Sequence, residues 1–274
     1  MHYAVWVTSG DRTESLRTVC KDVDWDIDHG DVSLRDRMRL LAEHSEIFDD
    51  AIRMAAQACE IFRFYDEHKP QEAFTPTERR TVVLAALFSD IGKTGPATAD
   101  ASERRLIVEM FAVEGVRDDK MPVSDFFRTY FQADSADRIA RFTALGLDPQ
   151  MTMREFWNLH SEWTLSILEK AHVPPEAVAA AATHHLMENV NPEAIVGEDN
   201  RFTRAFGDNA TFDRAEKLVI VLDKYDAVRR RGHLRHDEAI AWLRQRLDAS
   251  QRFRNDPELT TLIGDLEVVF APKP

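Results

Sequence analysis

The chain has 274 residues, which suits one large or two small domains, and 44% of them are hydrophobic, enough to bury a substantial core. Thirty-five Lys and Arg against 48 Asp and Glu leave a net charge of −13, which argues against non-specific binding to nucleic acid or an anionic membrane and leaves room for a small phosphorylated ligand in a locally basic pocket. Two cysteines, Cys20 and Cys59, are too few for a disulfide framework. With no basic signal segment at Met1-His2-Tyr3 and no apolar run of about 18 residues, a cytoplasmic protein is expected.

In chain order, residues 3–8 (Tyr-Ala-Val-Trp-Val-Thr) predict a short strand, followed to about residue 33 by a loop rich in Asp and Gly. Helical periodicity takes over from there. The predicted helices span 34–65, 76–91, 101–114, 122–132, 135–145, 152–171, 175–189, 211–230, 236–248 and 257–268. Thr75-Pro76-Thr77-Glu78 reads as a cap with Pro in the first turn, and Thr152 precedes Glu155 at capping-box spacing. Pro174-Pro175 separates two helices, and Pro192 and Gly197 mark the next loop. The expected organisation is an appendage at 1–33, a helical domain at 34–250 with a helical insertion at 97–150, and a C-terminal helix and tail at 251–274. The insertion holds Phe111, Phe126, Phe127, Tyr130, Phe131 and Phe142. Ordinary helical core is the first explanation for them, and a lid or homodimer surface the second.

Several polar residues sit where apolar helices would have to bury them. Asp90 ends the run 84–88 and shares a helical face with Ala86 and Leu87, with Gly92 and Lys93 directly after it. Asp223 follows Leu218-Val219-Ile220-Val221-Leu222, and a carboxylate there needs a cation, a ligand role or several hydrogen bonds. His160 has Phe156, Trp157, Trp163 and Thr164 as its turn neighbours. His184 follows Ala180 and Ala181 on a predicted helix whose small residues permit close approach, with His185 turned about 100° away. His44 opens an amphipathic segment that continues through Ile47, Phe48 and Ile52. Each has an ordinary explanation, as a core histidine, a surface histidine or an internal ion pair. Asp and His arriving from separate helices point instead to a metal site.

The order of these residues resembles the HD superfamily of metal-dependent phosphohydrolases, and most closely the HD-GYP branch that hydrolyses cyclic di-GMP. The resemblance covers roughly residues 40–245. Ser89-Asp90-Ile91-Gly92-Lys93-Thr94-Gly95 is similar to the branch's His-Asp-Ile-Gly-Lys signature, and His160 through Leu168 to its following histidine helix. Thr183-His184-His185 is similar to its double histidine, and Val221 through Ala227 to its late Asp-x-Tyr-Asp-Ala helix. The resemblance implies an all-α, HD-like helical bundle. It further implies one or two divalent transition metals (Fe, Mn or Zn, with Mg as an alternative), with ligands drawn from His44, Asp90, His160, His184, His185 and Asp223.

Two departures stand out. Ser89 occupies the place of the namesake histidine, and serine is a poor ligand for a borderline metal. After His185 the chain reads Leu186-Met187-Glu188-Asn189, with no Gly-Tyr-Pro. The expected activity is hydrolysis of a phosphodiester or nucleotide, a cyclic dinucleotide included, with Asp90 and Lys93 as catalytic residues. Lys93, Arg229 and Arg230 are the expected phosphate contacts, since guanidinium forks match phosphate oxygens and the cluster lies about two helical turns from Asp223. Two alternatives stand beside it. One is a catalytically degenerate HD module that binds a nucleotide or a protein partner in a regulatory role, supported by Ser89. The other is an HD-fold di-iron oxygenase.

Overall fold

A computed structural model describes residues 12–21, 23–26, 31–44 and 46–272. The fold is mainly helical, as expected. Its helices are α1 (Arg12–Lys21), α2 (Val32–His44), α3 (Ile47–His68), α4 (Pro76–Phe88), α5 (Ala101–Phe111), α6 (Val123–Tyr130), α7 (Ser135–Ala144), α8 (Met153–Lys170), α9 (Pro175–Ala182), α10 (Arg214–Arg230), α11 (His236–Ala249) and α12 (Pro257–Val269). One antiparallel hairpin, β1 (Arg201–Phe206) and β2 (Asn209–Thr211), joins α9 to α10. Among the described residues no helix is long and apolar enough to cross a membrane.

Two helices form the centre. Every residue from Val82 to Phe88 in α4 and from Leu218 to Leu222 in α10 is buried, so these two stretches are apolar on all sides, as the innermost segments of a bundle must be. α3 and α9 pack against both, and α8 packs against α9 and the turn that follows α4. The six residues Ala177–Ala182 of α9 are all buried, and their small side chains let α9 lie close to α4 and α8. Capping boxes start α4, α5 and α8 through Thr75/Glu78, Asp100/Glu103 and Thr152/Glu155.

Several boundaries differ from expectation. The strand predicted at 3–8 lies outside the described residues. Within the predicted loop, α1 forms instead and packs on α3 and α4, because Leu16, Val19 and Cys20 recur at helical spacing and are buried. The single helix predicted at 34–65 is two, broken between His44 and Ile47. The loop predicted around 197–210 contains the hairpin, which turns at Gly207 (φ +61°) and buries Phe202 and Phe206. α12 is tied into the bundle: Lys217 reaches Asp256 (2.8 Å) and Glu258 (2.9 Å), and Tyr65 and Lys69 both donate to Asp265 (2.6 Å each).

The segment 97–150, expected as an insertion, forms α5–α7. Phe126, Phe127 and Phe142 are fully buried, and Phe142 and Phe111 lie against Phe156 of α8, at 5.7 Å and 4.9 Å between ring centroids. These aromatics are core, and they brace the half of α8 that carries His160.

Candidate metal centre

After α4 the chain makes a short 3-10 turn at Ile91–Thr94, with Asp90 at its start and Gly95 (φ +85°) at its end. This turn presses on α8. A Cβ on Gly92 would lie 1.9 Å from the His160 carbonyl oxygen and 2.7 Å from the Thr164 nitrogen, so only glycine fits. Thr164 clamps the approach: the Gly92 N–H donates to its hydroxyl (3.0 Å), and the hydroxyl donates to the Ser89 carbonyl (2.8 Å). From the other side the buried Arg37 guanidinium donates to the Thr94 hydroxyl (2.7 Å) and to the carbonyls of Gly95 (3.1 Å) and Pro96 (2.8 Å). Burial chiefly, with Arg104 nearby, lowers the Arg37 pKa to about 10.

Asp90 therefore arrives at a fixed place beside His160. α9 ends at Ala182, and His184 and His185 follow in a turn rather than on the helix, a correction to the predicted span 175–189. The Thr183 hydroxyl bonds back to the Ala179 carbonyl (2.7 Å), closing the helix and swinging His184 inward. His184 Nε2 then lies 3.1 Å from His160 Nε2, and Asp90 Oδ1 is 3.5 Å and 3.7 Å from those two nitrogens.

The hydrogen bonds on the far side of each ring decide what these atoms are. His160 Nδ1 contacts the Trp157 carbonyl and His184 Nδ1 the Ala181 carbonyl (2.7 Å). A carbonyl only accepts, so both Nδ1 atoms carry the proton and, in the neutral rings, both Nε2 atoms present lone pairs. Two lone pairs facing each other need a cation. A shared proton would satisfy the nitrogens, but Asp90 Oδ1 is buried with no hydrogen-bond partner. A single divalent ion satisfies all three. Two nitrogens bound at about 2.1 Å to one ion stand about 3.0 to 3.4 Å apart, which brackets the separation seen. The residues present fit a metal.

Electrostatics agree. Burial opposes the Asp90 charge, but Lys93, whose ammonium lies 2.7 Å from Oδ2, and the two imidazoles hold the carboxyl well below its usual range. Burial, with His184 adding, pushes His160 down to about 3, so the ring is neutral and ready to ligate.

His185 completes a compact group with His160 and His184, all buried or half-buried. Its Nδ1 accepts from the Lys224 ammonium at 2.6 Å, which leaves the ring's other nitrogen protonated. A ligand role for His185 requires that bond to be exchanged. Lys224 also holds Asp223 Oδ2 (2.8 Å) and Glu188 Oε2 (3.0 Å), and these carboxylates outweigh burial in raising its pKa. Burial works against the Asp223 charge as well, but Lys224 lowers its pKa on balance. Glu188 comes from the turn at Leu186–Glu188.

The other predicted residues scatter. His44 ends α2 with its Nε2 4.0 Å from Glu43. Arg229 donates to the Leu234 carbonyl (2.8 Å), and Arg230 pairs with Asp50 and with Glu46 (3.2 Å). Arg231 instead lines a pocket beside Asp90, together with Ser89, Asp223, Asp50 and Asp226. The sequence reading missed Asp50, Arg231 and Lys224 as site residues. Lys224 and Arg231 lie inside motifs already singled out, whereas an acid in the first turn of a helix, like Asp50, is ordinary. No protein-family model, curated protein or solved structure matches the chain.

Proposed function

We propose that the protein is a metal-dependent phosphohydrolase acting on a phosphodiester or nucleotide, with Asp90, His160 and His184 as the metal ligands. The observation that carries this is the pair of Nε2 lone pairs 3.1 Å apart beside the unpartnered Asp90 Oδ1. Asp90, His160 and His184 would hold a divalent ion, which when bound would supply Lewis acidity toward a phosphoryl oxygen and lower the pKa of bound water. The chain's own groups do the rest. Lys93, pinned beside Asp90 and only 13% exposed, meets the negative charge that grows on the phosphoryl oxygens. The His185 N–H, held by Lys224, offers a directed donor to the same space. Arg231, in the pocket on the far side of Asp90, has the fork geometry for a phosphate and takes the place expected for Arg229 and Arg230.

One observation favours a second reading, a regulatory module that binds a nucleotide or partner without turnover. Lys93, Lys224, Arg53 and Arg230 already pair with Asp90, Asp223, Asp226 and Asp50. Metal content and hydrolysis separate the two. The hydrolase purifies with about one equivalent of Zn, Fe or Mn and cleaves phosphodiester or nucleotide substrates, and Asp90→Ala abolishes both properties. Metal-free protein that gains neither metal nor activity on supplementation supports the regulatory module.

A further inference from the structure

Three imidazoles crowd the metal centre, and they do not face it alike. The rings of His160, His184 and His185 lie 4.0 to 5.1 Å apart between centroids. Nδ1 of His160 and Nδ1 of His184 each meet a main-chain carbonyl, an acceptor, so both rings turn an Nε2 lone pair inward. Nδ1 of His185 meets the Lys224 ammonium, a donor, at 2.6 Å. A ring that accepts at Nδ1 keeps its proton on Nε2, and a protonated Nε2 cannot ligate. We infer that Lys224 is a positioning residue: it sets the tautomer of His185, keeps this third imidazole out of the coordination sphere and leaves a metal at Asp90, His160 and His184 with one position open to an added ligand. The role holds only with a metal there, as proposed, and needs nothing of the proposed reaction.

The opposite tautomer has its partner in place. Glu188 Oε2 lies 3.4 Å from the same Nδ1. With Nδ1–H donating to that carboxylate, Nε2 would present a lone pair, the arrangement by which a carboxylate behind a histidine makes it a metal ligand. His185 is close enough to serve, since one ring nitrogen from each of the three histidines falls within 4.8 Å of the others. The backbone fixes both ring and carboxylate. The N–H groups of Glu188 and Val190 donate to the His185 carbonyl (2.9 and 3.2 Å), so His185 and Glu188 share one turn. Lys224 comes from α10, where it is only 6% exposed. Its three N–H groups are spent on His185, on Asp223 Oδ2 (2.8 Å) and on Glu188 Oε2 (3.0 Å). The ammonium thus holds both the ring and the acceptor that would reverse its tautomer.

Four protein ligands close a zinc site and make it structural, whereas three leave the place that a catalytic site needs. Lys224 decides between these states from behind the His185 ring.

Tautomer and open position can be read separately. Long-range ¹H–¹⁵N correlation spectra of metal-free protein labelled at histidine show which nitrogen of each ring carries the proton. His185 is expected as the Nε2–H form in the parent chain and in Glu188→Leu, and as the Nδ1–H form in Lys224→Met. Cobalt(II)-loaded protein is then titrated with azide and followed by visible absorption, with circular dichroism checking that each variant is folded. Azide shifts the spectrum of the parent chain and of Glu188→Leu, and binds at least about tenfold more weakly to Lys224→Met, where His185 fills the position. A parent chain with His185 in the Nδ1–H form overturns the inference whether or not any variant folds. Equal azide binding by the parent and a folded Lys224→Met overturns it as well. A parent chain that takes up no cobalt removes the metal centre itself and the open position with it, a failure distinct from the other two.

Discussion

The two flanks of Asp90 hold their polar groups in opposite ways. On the His160 side, main-chain carbonyls of Trp157 and Ala181 orient neutral rings, and the orientation comes from where α8 and α9 place their backbone. On the Asp223 side, carboxylates are held by Lys224, Arg53 and Arg230. A backbone-oriented donor costs little to keep buried, because it is uncharged. An ion-paired donor depends on its partner, and losing one side leaves a charge stranded in a poorly solvated place. The first flank should therefore be sensitive to backbone geometry and the second to charge balance.

The largest expected effect tests the backbone flank. Gly92→Ala sets a Cβ against the α8 main chain, which cannot rotate away as a side chain would, and should cost about 3 kcal/mol or more. Urea denaturation measures it, and zinc affinity should fall with stability because His160 moves with α8. Gly264→Ala in α12, where nothing lies within 4 Å of the new Cβ, is the control and should be neutral to stabilising. Equal losses in both variants would mean that the close approach of the turn to α8 is not what matters. On the charged flank, Lys224→Met strands Asp223 and Glu188, both partly solvated, and should cost about 2 kcal/mol. The paired change Lys224→Met with Asp223→Asn should recover part of that loss. A double variant no more stable than the single one would sever the pairing.

The two flanks also differed in how well the sequence announced them. The Asp90, His160 and His184 group could be read from polar residues on or just beyond apolar helices, where burial leaves them few ordinary uses. Helix ends were harder. The alanines of α9 have high helix propensity and give no stop signal, so the helix was extended to residue 189. The stop after Ala182 is made by the Thr183 hydroxyl folding back onto Ala179 and by the space beside His160, both tertiary facts. Asp50 was invisible for the opposite reason. Its pattern matches an exposed first turn, and only the packing of α3 on α10 turns it inward. The hairpin has only a weak signal in the sequence, Phe202 and Phe206 four residues apart before Gly207-Asp208, because Arg204 interrupts the apolar face between them.

A smaller effect isolates the clamp between the turn and α8. Thr164→Val keeps the shape and removes only the hydroxyl, leaving the Gly92 N–H and the Ser89 carbonyl unpaired in the interior. The expected loss is about 1 to 2 kcal/mol. Because Ser89 and Gly92 bracket Asp90, zinc binding should weaken as well, whereas Thr164→Ser should keep both. A Thr164→Val protein with unaltered stability would show that the hydroxyl does not hold the turn.

The smallest effect separates the flanks by the sign of their response to acid. In metal-free protein the folded His160 titrates near 3 and the unfolded ring near its ordinary 6.5. Below 6.5 the unfolded state takes up a proton that the folded state refuses, so this flank loses stability as pH falls toward 3. Asp50 runs the other way. Its folded pKa of about 6 lies above the unfolded 3.8, so the folded state binds the proton more tightly and gains stability as pH falls from about 6 to 4. The two partly cancel across that window. Asp50→Asn removes the compensating half, and urea unfolding in chelator should then show a steeper loss of stability between pH 6 and 4 than in the parent chain. A slope that is unchanged or shallower would place Asp50 outside the charged flank.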